Sequence, residues 1–238
     1  MAIPRQFEQD LEGLKSAIIR MASSVEQAVR EALLGLTEAR PERVQTVFQL
    51  EDRINAFEVE IDDQVVDLLA LRQPVAADLR LILAALKINN DLERIGDHAV
   101  NIAESARTLY QEPSLDPLPE LSRMAEIAQT MLRDAVDGFV HNTPSLCSEV
   151  LQNDDVVDEL NRSITRHLAD RIRHEPEGLE RALQLMRVSR NLERIADHAT
   201  NIAEEVIFMA DARVVKHGAD RDHAAEGPAA RVALPGKK

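Results

Sequence analysis

Apolar residues recur along this chain at three- and four-residue spacing, in long runs without strand-like alternation. Ile88, Leu92, Ile95, Ala99, Ile102 and Ala103 are one such run, which predicts an amphipathic helix. Prolines punctuate the pattern. Proline removes a backbone donor and clashes with the preceding turn, so it is tolerated at a helix start but not inside one. The prolines therefore delimit six helices, over about 5–38, 42–72, 75–110, 118–142, 145–174 and 177–212. The corners Arg40-Pro41, Gln73-Pro74, Thr143-Pro144 and Glu175-Pro176 are short, which forces consecutive helices to lie antiparallel. A proline cluster from Pro113 to Pro119 divides the helices three and three. The expected organisation is a three-helix unit over 1–112, a linker over 113–119 and a second unit over 120–213. Residues 214–238, rich in Gly, Ala, Asp, Lys and Pro with no helical pattern, read as a disordered tail.

The two units are copies of one another. Residues 92–104 read LERIGDHAVNIAE and residues 192–204 read LERIADHATNIAE, identical at eleven of thirteen positions with an offset of 100. Upstream, Leu79, Leu83 and Ile88 meet Leu179, Leu183 and Val188. Earlier in each unit the offset becomes 103, where Arg30, Ala32, Gly35 and Pro41 meet Arg133, Ala135, Gly138 and Pro144. A three-residue difference in loop length explains the change. The fold class is therefore all-α, with two tandem pseudo-symmetric bundles of three long antiparallel helices each.

The third helix of each unit carries acids in a stripe. With Glu93 at zero on a helical wheel, Asp97, Asn101 and Glu104 fall at about 40°, 80° and 20°, and the apolar residues at about 180° to 280°. The acids are thus expected on the face opposite the core, and Glu193, Asp197, Asn201 and Glu204 repeat them. On the second helix Glu51, Asn55, Glu58 and Asp62 form another stripe, matched on the fifth by Asp154, Asp155, Asp158 and Asn161. Neighbouring antiparallel helices bring such stripes together. Carboxylates one turn apart suit hard or borderline cations such as Mg, Mn, Fe or Zn. A charged helix face is ordinarily only solvated, but here the outward acids are as well kept between the copies as the inward Leu and Ile. Arg94 and Arg194 are expected to pair with acids of an adjacent helix. His98 and His198, at the border of the acidic and apolar faces, read as residues bonded to a neighbouring helix, with the alternative that they bind a metal or hydrogen-bond its ligands. Cys147 aligns with Val44 and reads as a small core residue.

Composition narrows the function. Hydrophobic residues make up 45% but aromatics only 3%, with no Trp and one Tyr, so the core is aliphatic. A net charge of −14 and scarce aromatics disfavour direct nucleic-acid binding. A single cysteine makes no intrachain disulfide, the sequence opens with no export leader, and the longest wholly apolar run, Leu81 to Leu86, is far too short to span a bilayer. A cytoplasmic protein is expected, and acidic charge without a leader argues against a cytokine-like or membrane-associated bundle. The chain has no Gly-rich phosphate loop, GxSxG elbow, CxxC, HExxH or Glu-x-x-His signature, so the expectation is a non-enzyme. The competing reading is a metal-dependent hydrolase of phosphate esters, motivated by carboxylates able to hold two metals.

The paired LERIGDHAVNIAE and LERIADHATNIAE motifs and the corner from Arg72-Gln73-Pro74 to Asp78-Leu79-Arg80 resemble the PhoU family of phosphate-signalling regulators over about residues 7–212. The resemblance implies a cytoplasmic, often dimeric protein that holds multinuclear iron or zinc clusters on its surface in some members, Mg or Mn being alternatives. Its metal motif maps onto Glu93 and Asp97 and onto Glu193 and Asp197, with Asn101, Asn201, Asp52 and Asp155 as additional candidates. It further implies a negative regulator of phosphate uptake and of phosphate-starvation genes. Such a regulator links a phosphate ABC transporter, through its ATPase subunit, to a sensor histidine kinase, and meets the membrane only through those partners. The second unit departs from the pattern at Glu175-Pro176-Glu177-Gly178-Leu179, which lacks the first unit's corner.

Overall fold

The computed structural model describes residues 3–72, 74, 76–111 and 118–211. The tail and most of the proline-rich linker lie outside the described residues. Six long helices follow in order: α1 (Ile3–Glu38), α2 (Pro41–Arg72), α3 (Ala76–Leu109), α4 (Pro119–His141), α5 (Pro144–His174) and α6 (Leu179–Asp211). Their limits match the proline-delimited expectation closely. The one difference is before α6, where Pro176–Gly178 form a 3-10 turn and Gly178 N donates to Glu175 O at 3.1 Å. Proline and glycine within three residues delay the helix there.

The α1–α2 and α4–α5 corners use one device twice. Ala39 (φ 52°) and Asn142 (φ 50°) adopt the left-handed conformation that ends a helix, and each stands at the same place in its repeat. Asn142 suits this conformation, and the backbone N–H of Thr143 donates to Gly138 O at 2.9 Å. Ala39 carries a Cβ that disfavours it.

Within the first repeat α1 packs on α2 and α3, and α2 on α3; in the second, α4 packs on α5 and α6, and α5 on α6. The repeats are joined through α3 on α6 and α1 on α4. One continuous aliphatic core results, with Leu14, Ile18 and Met21 of α1 and Leu92, Ile95 and Ile102 of α3 fully buried. Met124 and Met131 of α4 and Leu192, Ile195 and Ile202 of α6 complete it. Burying such side chains removes large apolar area from water and is the main stabilising term. Small residues set how closely the helices approach. A Cβ on Gly138 would lie 2.5 Å from Cys147 Sγ, and one on Gly35 would lie 3.3 Å from Val44 Cγ2. The pairing of Cys147 with Val44 therefore holds in space, and the thiol is a buried packing group whose pKa burial pushes up to about 11.

Across the α3–α6 contact, Lys87 bonds Glu205, Asp91 bonds His198, His98 bonds Asn191, and Asn101 and Glu104 bond Arg187. Partners advance along one helix as they retreat along the other, so α3 and α6 are antiparallel. A pseudo-twofold axis passes between them near Ile95 and Ile195.

Candidate functional site in the carboxylate stripes and the seam between repeats

The stripe residues are less solvated than a wheel opposite the core implies. The Glu93 and Glu193 side chains are only 16% and 13% exposed, whereas Asp97 and Asp197 are 38% and 36% exposed. For Glu93 the cause is α2, which packs on α3 at Gly96, about 60° from Glu93 on the wheel, and so covers one flank of the stripe; α5 packs on α6 in the same way. Arg94, more than half exposed, stands nearer the solvent-facing centre.

The stripes of α2 and α3 do converge. Glu51 has its pKa raised by burial first, then by the charges of Asp97, Asp52 and Glu104. Glu93 is raised by burial and by Asp97, with Glu58 of α2 adding to the repulsion and Arg94 opposing it. The second repeat behaves alike: Asp154 of α5 is raised by burial, then by Asp197 of α6 and its own neighbour Asp158, while the Thr200 hydroxyl donates to it at 3.4 Å. Glu51 and Asp154 therefore face the third-helix acids. Asp52 and Asp155, one residue on, are exposed.

The arginines overturn their expectation. Arg94 contacts Glu93 and Asp97, both at 3.3 Å, and Arg194 donates to Asp197 at 2.9 Å, all on their own helices. At three residues' spacing the acid lies within reach on the same exposed face, which α2 and α5 do not share. Asn101 and Asn201 turn toward the seam: Asn101 accepts from Arg187 at 3.0 Å, and Asn201 donates to Asp91 at 3.2 Å. The histidines follow the neighbouring-helix reading, His98 with Asn191 at 2.9 Å and His198 with Asp91 at 2.8 Å. Burial lowers the His98 pKa, with the Asn191 hydrogen bond opposing it.

Sequence reasoning missed the seam partners Lys87, Asp91, Arg187, Asn191 and Glu205. Asp91 and Asn191 each stand seven residues before a repeated histidine, on the same helical face, and that spacing was the available signal.

Glu93 Oε2 is buried and accepts no hydrogen bond, Arg94 Nε being 3.3 Å away but poorly aligned. Each repeat crowds carboxylates whose pKa values rise through mutual repulsion and burial. An all-oxygen, negatively charged donor set of this kind fits a hard or borderline cation. Among the described residues, no three His, Cys, Asp or Glu side chains are already closed around a common metal position. Binding would thus require the carboxylates to draw together.

Two grooves lie away from the stripes, at opposite ends of the molecule. One, of about 720 Å³, is lined by Leu33, Leu36, Tyr110, Leu118 and Leu121. The other, of about 650 Å³, is lined by Leu11, Lys15, Arg80, Phe139 and Met209. Leu36 and Phe139 are repeat equivalents, as are Leu109 and Met209, so the grooves are pseudo-symmetry mates. Among the described residues no helix is long and apolar enough to cross a membrane.

Fold and site together define a duplicated helical-bundle protein with twin carboxylate stripes beside an antiparallel seam. The PhoU domain profile matches residues 18–106 and 121–206, one match per repeat. The chain belongs to the PhoU family. The phosphate-specific transport system accessory protein PhoU homolog of Aquifex aeolicus is 39% identical over 209 residues, covering 88% of this chain and 95% of its own. The homolog of Pseudomonas aeruginosa is 37% identical over 216 residues, covering 90% and 89%. The crystal structure of PhoU from Pseudomonas aeruginosa superposes with a TM-score of 0.85 at 36% identity, over 87% of this chain and 100% of that one. The phosphate transport system regulatory protein PhoU of Streptococcus pneumoniae superposes with a TM-score of 0.82 at 25% identity, over 88% and 99%. These relatives are named as accessory and regulatory proteins, and the hydrolase alternative is set aside.

Proposed function

We propose that this chain is a non-catalytic accessory protein of phosphate-specific transport that restrains phosphate uptake and represses phosphate-starvation genes when phosphate is plentiful. It acts in the cytoplasm as a homodimeric adaptor between the ATPase subunit of a phosphate ABC transporter and a phosphate-sensing histidine kinase. Cations, with iron or zinc clusters as the leading candidates and Mg or Mn as alternatives, sit on the stripes, held by Glu93 and Asp97 in one repeat and Glu193 and Asp197 in the other. Glu51 and Asp154 face these acids and would join them. A bound cation supplies positive charge that relieves the crowding and fixes the two outer faces for docking.

The observation that carries this reading is the repetition of the crowded carboxylates in both copies, Glu51 against Asp97 and Asp154 against Asp197. The relatives' names supply the phosphate-transport context. The test replaces Asp97 and Asp197 together by alanine. A phosphate-starvation reporter should then be derepressed in phosphate-rich medium while the protein stays folded by circular dichroism. Full repression with unchanged metal content would reduce the stripes to ordinary surface.

A further inference from the structure

The repeats meet at a pair of imidazoles that the carboxylate stripes do not use. His98 and His198, equivalent positions of α3 and α6, straddle the pseudo-twofold axis with ring centroids 5.5 Å apart and planes 31° from parallel. Each ring is held at Nδ1 by an oxygen of the opposite helix, Asn191 Oδ1 at 2.9 Å and Asp91 Oδ1 at 2.8 Å. The Asn191 amide orientation is fixed because its Nδ2 donates to Arg187 O at 2.8 Å. An amide oxygen and a carboxylate have no proton to give, so in the neutral form of either ring Nδ1 carries the proton and Nε2 carries the lone pair. Neither Nε2 has a hydrogen-bond partner among the described residues.

This is the arrangement of a metal-ligating histidine, whose second nitrogen donates to a carboxylate or carbonyl that sets tautomer and orientation. The spacing agrees with it. Two imidazoles on one tetrahedral metal, with bonds of about 2.0–2.1 Å, place their ring centroids about 5 to 5.5 Å apart. We propose that His98 and His198 together bind one borderline divalent cation, Zn²⁺ in the first instance, through their Nε2 atoms, bridging the two repeats with water completing the coordination. Nitrogen donors select Zn²⁺, Ni²⁺ or Cu²⁺ over Mg²⁺ and Mn²⁺, so this site excludes the hard cations that the all-oxygen stripes can also take. The site clamps α3 to α6, so its occupancy couples one repeat to the other. It does not depend on the regulatory reading above, since it rests on the two rings and their anchors alone.

The full-length chain, stripped of metal and carrying Asp97→Ala and Asp197→Ala to silence the stripes, is titrated with Zn²⁺ by calorimetry in excess Mg²⁺. It binds one Zn²⁺ at this site, and adding His98→Gln or His198→Gln weakens that binding by at least about 10-fold, since loss of a ligand costs no less than loss of a ligand's partner. Unchanged Zn²⁺ affinity in both variants overturns the proposal, as does absence of a Zn²⁺ site in the stripe-silenced chain. A second measurement stands if the variants fail to fold. With His217 and His223 replaced by asparagine to remove the imidazoles near the C-terminal end, the Cu²⁺ electron paramagnetic resonance spectrum shows coupling to two nitrogens. A spectrum with oxygen ligands alone refutes the site.

Discussion

Gly96 of α3 lies directly against Ile54 of α2, so close that a Cβ on the glycine would stand 3.2 Å from Ile54 Cδ1 and 3.3 Å from Cγ2. The second repeat places Ala196 and Val157 at the equivalent positions, both buried. One repeat puts its bulk on the second helix, and the other shares it more evenly between the two.

Gly96→Ala should therefore destabilise the protein by about 1 kcal/mol, because overpacking outweighs the gain in helix propensity. Adding Ile54→Val, which recreates the second repeat's pair, should restore most of the loss. Urea unfolding of the two single variants and the double variant measures this coupling, and simple additivity would show that the two sites do not share the space.

Ala39 holds φ at 52° with a Cβ, where its counterpart is Asn142. Ala39→Gly or Ala39→Asn should raise stability by about 0.5 to 1 kcal/mol by relieving the left-handed strain at the α1–α2 corner. Thermal denaturation is the check, and a lowered midpoint in both variants would contradict it.

The two charged clamps across the seam are unequal. Lys87 Nζ lies 2.9 Å from a Glu205 carboxylate that is 4% exposed, whereas Arg187 binds the half-exposed Glu104 at 3.0 Å. Ser105 stands where α6 has Glu205, which leaves Arg187 to reach the outer acid. Lys87→Ala should cost about 1 to 3 kcal/mol because it removes two charge-assisted hydrogen bonds from a buried carboxylate. Arg187→Ala should cost no more than about 1 kcal/mol, as exposed pairs do. Chemical denaturation of both variants tests the order, and equal losses would show that seam strength follows hydrogen-bond number, which is two in each clamp.

The crowded acids make a signed pH prediction. The pKa values of Glu51, Glu93 and Asp154 are raised on folding, by burial first and neighbouring carboxylates next. Their stabilising contribution is full below the ordinary carboxylate range and is lost as pH rises through the raised folded values. Glu51→Gln and Asp154→Asn should therefore stabilise the metal-free protein at pH 7 by about 0.5 to 1 kcal/mol, allowing for solvent screening. The advantage should shrink on acidification through the ordinary carboxylate range and vanish below it, where the wild-type groups are neutral in both states. Melting temperatures across that range decide it, and an advantage that grows on acidification would contradict the assignment.

Helix limits and the duplication were legible in the sequence because proline placement and the 3.6-residue period are local properties. The convergence of Glu51 with Asp97, and of Asp154 with Asp197, was legible too, since adjacent antiparallel helices must bring their stripes together. The seam was not. Which helices of one repeat face the other depends on inter-repeat packing, and no local period encodes the match of His98 with Asn191 or of Lys87 with Glu205. The burial of Glu93 escaped a single-helix wheel for a related reason, because the covering helix α2 is not on the wheel. The pairing of Arg94 with Asp97, three residues on, is a local contact that the sequence does contain, and it competes successfully with acids of the neighbouring helix.

The proposed carboxylate cation sites, one in each repeat, are read out by titrating the metal-free chain with Mn²⁺ under electron paramagnetic resonance. Binding is expected at both repeats in the wild type, with loss of one site in Asp97→Ala, loss of the other in Asp197→Ala, and loss of both in the double variant. Mn²⁺ binding by the double variant equal to that of the wild type would contradict both sites.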